Sequence, residues 1–246
     1  MSLSDQVRDE RNNQRYYDTF AATYDNQRHD GYHRWLDART IELLSPYVAG
    51  RDVLEVGCGT GLLLHGVSQL ARRAFGVDLS DGMLARARQR GLEVVQGSAT
   101  ELPFADASFD VAYSFKVLSH VPDLEKAFAE VARVVRPGGV ALLELYNTRS
   151  LRYAIRRLRP AFSVGAGTDE KDVFTRFYSE AELVRRLPPT LTLRQTHGFR
   201  VATVMPGAFR VPGFGPLWAR AEDALSASPL HKLAGFLVLV LDRRET

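Results

Sequence analysis

The 246-residue sequence has one cysteine, Cys58, and therefore cannot form a disulfide within the chain. A chain without disulfides suits a reducing compartment, and we expect it in the cytoplasm. Long apolar runs are also lacking, since the longest, such as Phe236 to Leu241, fall far short of the roughly 20 residues that span a bilayer. The charged N-terminal residues contain no apolar stretch typical of a signal peptide. We therefore expect no transmembrane segment.

Neither sign of charge dominates the sequence. The 32 basic and 29 acidic residues leave a formal net charge of only +3, which gives little attraction to a polyanion. We therefore expect no nucleic-acid partner. The length suits one α/β domain better than two.

Short apolar runs alternate with helical patterns through the first 146 residues. A helix is predicted from Ser80-Asp81 to about Arg90, and another from Asp123 to the Pro137-Gly138-Gly139 stop. The predicted strands are Asp52–Val56, Arg73–Asp78, Leu92–Gln96, Phe109–Ser114 and Val140–Tyr146. Strands and helices that alternate at this spacing indicate βαβ units and a parallel sheet.

The pattern changes after Tyr146. Ser179 to Glu182 is a capping box that predicts a short helix, and strands are predicted at Leu191–His197 and Gly235–Asp242 around a long insertion at 199–231. The last two strands suggest an antiparallel sheet edge. The predicted fold is a Rossmann-like, doubly wound α/β domain with a mostly parallel, seven-stranded sheet.

A glycine-rich turn, Gly57-Cys58-Gly59-Thr60-Gly61, joins a buried strand to a helix predicted at Leu62–Leu70. Glycines allow a ligand to approach the backbone closely, although a simple tight turn is the plainer interpretation. A dinucleotide site would have its third glycine where Leu62 stands. Glu55, just before the turn, suits a cationic group better than a pyrophosphate. The turn therefore favours a nucleoside that carries an amino acid.

Asp78 ends the second strand about twenty residues after the turn. In doubly wound sheets this position places a carboxylate on ribose hydroxyls. The alternative is a helix cap, but Ser80 or Asp81 can fill that role and leave Asp78 for a ligand.

Further motifs follow in order: Gly97-Ser98-Ala99, Leu102-Pro103-Phe104, Phe109-Asp110-Val111, Val117 to Asp123, and Val134 to Gly139. With the glycine turn and Asp78, they resemble the class I S-adenosylmethionine-dependent methyltransferases over roughly residues 14–146. The most similar group includes the ubiquinone/menaquinone and natural-product methyltransferases.

The resemblance implies S-adenosyl-L-methionine as the cofactor and assigns residues to its parts. The methionine part falls to Glu55, Gly57, Cys58, Gly59, Gly61 and Phe115, the ribose to Asp78, and the adenine to Leu79, Met83, Ser98 and Ala99. The family often has an acidic residue where Ser98 stands. A serine hydroxyl can accept the same hydrogen bond from the adenine amino group.

The N-terminal segment also resembles this group, in which it covers the cofactor. Tyr16, Phe20 and Tyr24 share one helical face, which is otherwise explained as core packing. We predict a lid with Tyr17 or Tyr24 near the cofactor. The single domain is thus divided into a lid (1–35), a cofactor-binding core (36–146), substrate-side insertions (147–234) and a last strand (235–246).

His120 is the candidate catalytic residue, because it follows the fourth strand near the crevice. It would act as a base toward a hydroxyl or a protonated amine, and a purely structural role in the loop is the alternative. We predict no metal site.

The substrate side is less defined. Five arginines between Arg149 and Arg159 indicate either a solvated helix face, an anionic substrate group, or peripheral contact with a membrane surface. Residues 199–231 supply aromatic and apolar side chains that line a pocket or cover the sheet edge: Phe199, Met205, Phe209, Phe214, Leu217 and Trp218. We expect a small hydrophobic or amphipathic substrate with an anionic group.

Three other functions compete with this one. A non-catalytic cofactor sensor or partner subunit is disfavoured by the intact motifs, and a nicotinamide oxidoreductase is disfavoured by Leu62. A nucleic-acid or protein methyltransferase is disfavoured by the balanced charge.

Overall fold

The computed structural model describes residues 3–28, 31–158, 174–203 and 215–245. Its helices are α1 (Leu3–Tyr24), α2 (Gly31–Val48), α3 (Leu62–Ser68), α4 (Asp81–Gln89), α5 (Leu124–Val134), α6 (Leu151–Leu158), α7 (Glu180–Arg186) and α8 (Gly215–Ser226). Its strands are β1 (Asp52–Val56), β2 (Arg73–Asp78), β3 (Glu93–Gln96), β4 (Phe109–Ser114), β5 (Val135–Asn147), β6 (Phe177–Tyr178), β7 (Leu191–Phe199) and β8 (Phe236–Arg243).

One sheet has the strand order β3-β2-β1-β4-β5-β8-β7. Strands β1 to β5 run parallel, and β1 lies beside β4 with Val53 opposite Val111. β8 is antiparallel to β5, and β7 is antiparallel to β8. The predicted doubly wound sheet with an antiparallel edge is therefore confirmed.

The predicted number of seven strands is wrong, because β6 adds an eighth. It consists of two residues that pair with the end of β5, where Phe177 lies opposite Tyr146. Two residues cannot carry the alternating pattern by which a strand is recognised in a sequence. This strand brings the segment after residue 173 to the edge of the sheet where the parallel strands end.

The predicted helix starts are confirmed, whereas some ends differ. Ser80 caps α4 by accepting a hydrogen bond from the Met83 amide at 3.1 Å, and Ser179 caps α7 in the same way. α5 ends at Val134, before the predicted stop, because Val135 already pairs with Phe109 of β4. Strand pairing therefore overrides the helical pattern at this point.

Helices cover both faces of the sheet. On one face Leu54, Ala112 and Leu143 pack with Phe128 of α5, and on the other Val53, Val111 and Leu142 pack with α2. This double cover leaves the carboxyl ends of β1, β2, β4 and β5 as an open crevice, where ligands bind in such folds. Within the described ranges, no helix combines the length and the apolar character needed to cross a membrane.

Candidate functional site

A cavity of about 440 Å³ lies at the carboxyl ends of the parallel strands. This volume is within the range of small-molecule sites, about 300–1,000 Å³. The wall contains every predicted site residue except Gly61: Tyr17, Tyr24, Glu55, Gly57, Cys58, Gly59, Asp78, Leu79, Met83, Ser98, Ala99, Phe115 and His120. Residues from six different elements and their loops thus converge on one space.

The glycine turn presents its backbone to this cavity. Gly59 has a φ of +55°, a left-handed conformation that favours glycine, and nothing lies within 4 Å of where its Cβ would be. The Gly59 amide donates a hydrogen bond of 2.8 Å to Asp78 Oδ2. The turn therefore offers a cradle that a side chain would fill, which fits the nucleoside ligand implied by the sequence.

Gly61 differs from the prediction that it faces the cofactor. Its φ is +80°, and a Cβ there would overlap the side chain of Leu92 and press on Ala87. Gly61 precedes the first residue of α3 and lies against the α4–β3 connection instead of the cavity. Its physical role is close packing of the turn, which the motif alone does not distinguish from ligand contact.

Asp78 holds the turn together while it lines the cavity. Its Oδ1 accepts a hydrogen bond of 2.9 Å from the Ser80 amide, and its Oδ2 accepts the one from Gly59. Burial raises the pKa of Asp78, although these backbone donors oppose the shift. The carboxylate is thereby fixed in one orientation at the end of β2.

An acidic side chain from α1 lies beside Ser98. Glu10 accepts a short hydrogen bond from the Ser98 hydroxyl, and both residues line the cavity. Ser98 Oγ also accepts a hydrogen bond of 3.1 Å from the Thr100 amide. The acidic group that the sequence lacks at position 98 is thus supplied by a residue 88 positions earlier, which no local motif could indicate.

Glu55 is buried beneath the turn with only 3% of its surface exposed. The Tyr113 hydroxyl donates a hydrogen bond of 3.2 Å to Glu55 Oε2. Burial raises the pKa of Glu55 well above its usual range. A cationic ligand group beside it would favour the charged carboxylate.

Helix α1 lies across the cavity. The rings of Tyr16, Phe20 and Tyr24 follow one another along it, with centroids 5.7 and 5.4 Å apart. Asp18 Oδ1 accepts hydrogen bonds from Ser80 Oγ at 2.5 Å and from the Gly82 amide at 3.1 Å. These polar contacts tie α1 to the start of α4.

His120 lines the same cavity as the glycine turn. Its Nδ1 donates to the Phe174 carbonyl at 2.9 Å, because a carbonyl can only accept. In a neutral imidazole this bond leaves Nε2 as the acceptor, and the Tyr146 hydroxyl lies 3.2 Å from Nε2. Thr175 Oγ1 also lies 3.1 Å from Nδ1, and these contacts together hold the imidazole ring in one orientation.

Sequence reasoning missed a group of polar residues on the same wall. Arg28 Nη2 and Lys116 Nζ both contact Asp37 Oδ1, at 2.6 and 3.2 Å. Lys116 lies two residues after the end of β4, and Tyr146 lies next to the last residue of β5. Residues at the carboxyl ends of parallel strands face the crevice, so these two could have been identified from the predicted strands. Arg28 and Asp37 carry no comparable signal.

The predicted substrate-side segments contribute unequally. From the basic run, Arg152 lines the cavity, and its guanidinium lies 5.5 Å from the centre of the Tyr146 ring. Phe199 is buried in the core and Leu217 is 62% exposed, and neither lines the cavity, nor does Trp218. Arg159, Met205, Phe209 and Phe214 lie outside the described residues.

Comparisons with known proteins agree with this geometry. Residues 54–143 match the model of a methyltransferase domain family. A probable S-adenosylmethionine-dependent methyltransferase of Mycolicibacterium smegmatis is 37% identical over 186 residues, which are 75% of this chain and 65% of that protein. The chain belongs to the class I S-adenosylmethionine-dependent methyltransferases.

A second relative and a solved structure are also similar to this chain. A ubiquinone biosynthesis O-methyltransferase of Methylococcus capsulatus is 32% identical over 141 residues, 49% of this chain and 59% of that protein. The chain thus spans less than two thirds of the length of either relative. The crystal structure of an S-adenosylmethionine-dependent methyltransferase from Thermotoga maritima superimposes with a TM-score of 0.68 over 94% of this chain and 99% of that one, at 19% identity. That likeness shows a shared fold.

Proposed function

We propose that the chain transfers a methyl group from S-adenosyl-L-methionine to a small hydrophobic or amphipathic molecule. The observation that carries this proposal is the continuity of the cavity. One half of the cavity, around Asp78 and Gly59, suits a nucleoside, and the second half, around His120 and Tyr146, is lined by polar and aromatic groups. Both halves belong to the same cavity.

The first half suits the cofactor. Asp78 would accept hydrogen bonds from the ribose hydroxyls, and Leu79 and Met83 would pack against the adenine. Glu10 and Ser98 would accept from the adenine amino group, beside Ala99. Glu55, the backbone of Gly57 to Gly59 and Phe115 would surround the methionine part. Bound S-adenosylmethionine supplies an electrophilic methyl group.

The second half suits the methyl acceptor. Rate enhancement requires that the acceptor atom be held close, in line and away from water, which is worth about 7–11 kcal/mol in favourable cases. Tyr146 and His120 form a wall on which an acceptor hydroxyl could pass its proton through the Tyr146 oxygen to His120 Nε2. His120 would act as the base by this route.

The relative of Methylococcus capsulatus, named for ubiquinone biosynthesis, supports a small aromatic or amphipathic acceptor. The aromatic ring of Tyr146 on the cavity wall agrees with it, and Phe177 and Phe236 hold that ring from behind, each with its centre 5.3 Å from the Tyr146 ring centre. A non-catalytic sensor would have no need of a second half of the cavity with an oriented imidazole.

Helix α1 would serve as a lid, together with part of the segment 150–175, of which residues 159–173 lie outside the described residues. Hydrogen exchange with and without S-adenosylhomocysteine tests this proposal. Amides of α1 should exchange more slowly with ligand, whereas those of α5 should not change. Equal exchange in both states would make α1 ordinary structure.

The proposed function is tested in two steps. Calorimetry first measures S-adenosylhomocysteine binding, with reduced nicotinamide dinucleotide as the competing ligand. Labelled S-adenosylmethionine is then incubated with phenols, quinols, amines and aromatic acids, and methylated product is sought by mass spectrometry. Tight binding without product from any class would favour a sensor, and preferential nicotinamide binding would favour an oxidoreductase.

A further inference from the structure

The charged residues of the cavity wall are segregated. Among the described residues, the acidic side chains that line it are Glu10, Asp37, Glu55 and Asp78, and the arginine and lysine side chains are Arg28, Lys116 and Arg152. Three of the four acids lie at the glycine turn or beside Ser98. Arg152 lies over Tyr146 in the other half, whereas Arg28 and Lys116 surround Asp37 where the two halves meet, with the Arg28 guanidinium 5.6 Å from the centre of the Tyr24 ring. Among the residues described, Asp37 is the one acid whose side chain contacts these cations.

Asp37 does not neutralise this group. A single carboxylate oxygen contacts both Arg28 and Lys116, which leaves an excess positive charge on the wall. Arg152, over the face of Tyr146, adds another. Lys116 and Arg28 are largely buried, with 24% and 12% of their side chains exposed. Buried charge without full compensation is costly unless a ligand supplies the missing charge.

Lys116 is also held in an uncommon backbone conformation. Its φ of +63° lies in the left-handed region, which non-glycine residues adopt with some strain. The Lys116 amide donates a hydrogen bond of 2.9 Å to Glu144 Oε1, which supports this conformation from behind. The strained turn directs the side chain along the cavity wall toward Asp37 instead of into solvent.

Glu144 compensates these cations only in part. Burial raises the pKa of Glu144 to about 7, so that it carries a fraction of a charge near neutral pH. Burial and the neighbouring Arg28 lower the pKa of Lys116. Burial therefore disfavours the charged form of both residues and limits the negative charge that Glu144 supplies to the group.

We infer that Lys116, with Arg28 and Arg152, forms a subsite that binds a carboxylate group of the methyl acceptor. Lys116 would then be a specificity-determining residue that orients the acceptor relative to His120. This inference rests on the proposed function and narrows its substrate class to amphipathic carboxylates.

The experiment uses the chain saturated with S-adenosylhomocysteine and two matched probe pairs, 4-hydroxybenzoate with 4-hydroxybenzamide and octanoate with octanamide. Calorimetry or ligand-detected NMR measures each affinity. At least one acid should bind about tenfold or more tightly than its amide, and Lys116→Met should remove this preference. Lys116→Arg should keep most of it, and Lys126→Met, which removes an exposed cation on α5, should leave it unchanged.

Several results would overturn the inference. One is equal or absent binding of acid and amide in both pairs, and another is a preference that survives in Lys116→Met. A third is a tenfold loss of S-adenosylhomocysteine affinity in Lys116→Met with unchanged affinity for 5′-methylthioadenosine, because the cation would then serve the cofactor's own carboxylate. Thermal unfolding of each variant checks the fold. The proposed function fails separately, if the wild type does not bind S-adenosylhomocysteine.

Discussion

Asp78 and Gly59 are joined by a hydrogen bond of 2.8 Å between the ends of two adjacent strands. The bond fixes the orientation of a buried carboxylate and the path of a backbone segment with open space above it. The cofactor half of the cavity is therefore shaped before any ligand arrives, which reduces the cost of binding.

The open space above Gly59 gives the first prediction. Gly59→Ala should lower S-adenosylhomocysteine affinity by about tenfold or more, because the new methyl group would occupy the space that the ligand needs. Gly91→Ala is the matched control. Gly91 also has a positive φ, +76°, and nothing within 4 Å of its Cβ position, but it does not line the cavity.

Both alanine variants should lose about 1 kcal/mol of stability from backbone strain, as measured by urea unfolding. Affinity should fall only in Gly59→Ala. Equal affinities in the two variants would mean that the turn does not contact the ligand.

The second prediction concerns the pair of His120 and Tyr146. His120→Ala should change S-adenosylhomocysteine affinity little, while turnover with a hydroxyl acceptor should fall by about 10²–10⁴. Tyr146→Phe should also slow turnover, since it removes the hydroxyl between the cavity and Nε2. His65→Ala, on α3 and outside the cavity wall, serves as the control.

The pH profile decides the role of His120. As a base, it should produce an acidic limb in the wild-type rate profile that disappears in His120→Ala. A smaller loss of turnover with an unchanged profile would show that His120 only shapes the pocket.

The third prediction follows from Glu144, which is buried and whose Oε2 has no hydrogen-bond partner among the described residues. Burial raises its pKa from 4.5 to about 7. Between these two pH values the folded chain keeps a proton that the unfolded chain releases. The contribution of this proton to the free energy of unfolding is fully present below pH 4.5 and is lost as the pH rises to 7. The loss amounts to about 3 kcal/mol, at roughly 1.4 kcal/mol per pH unit.

Glu144→Gln cannot titrate, and its Oε1 can still accept from the Lys116 amide. Urea unfolding gives the free energy of unfolding of Glu144→Gln and of the wild type at pH 5 and at pH 8. The difference between variant and wild type should be about 2–3 kcal/mol more favourable to the variant at pH 8 than at pH 5. Glu93→Gln, at an exposed position on β3, should show no such rise. A relative stability of Glu144→Gln that is independent of pH would contradict the assignment.

The sequence indicates those parts of the site that depend on local pattern. The glycine turn begins directly after β1, Asp78 ends β2, and His120 follows six residues after β4. The carboxyl ends of these parallel strands meet at one edge of the sheet. Apart from the start of β5 and the two-residue β6, the strands are predicted to within a few residues, because buried strands form distinct apolar runs.

Contacts between distant segments could not be predicted in this way. The approach of Lys116 to Asp37 joins residues 79 positions apart and depends on how α2 docks on the sheet. The pairing of Glu10 with Ser98 likewise depends on the path of α1 across the cavity. Gly61 shows a different limit of sequence patterns. It belongs to the glycine motif, but it packs against Leu92 and Ala87 and does not line the cavity.

Calorimetric titration with S-adenosylhomocysteine tests whether the cavity binds an S-adenosyl nucleoside through Asp78. The wild type should bind one ligand per chain, and Asp78→Ala should bind at least about tenfold more weakly, because each hydrogen bond to a charged acceptor is worth about 1.5–3 kcal/mol. Asp81→Ala, at an exposed position in the first turn of α4, should bind like the wild type. Absent binding to the wild type, or equal affinities in the wild type and a folded Asp78→Ala variant, would contradict the account.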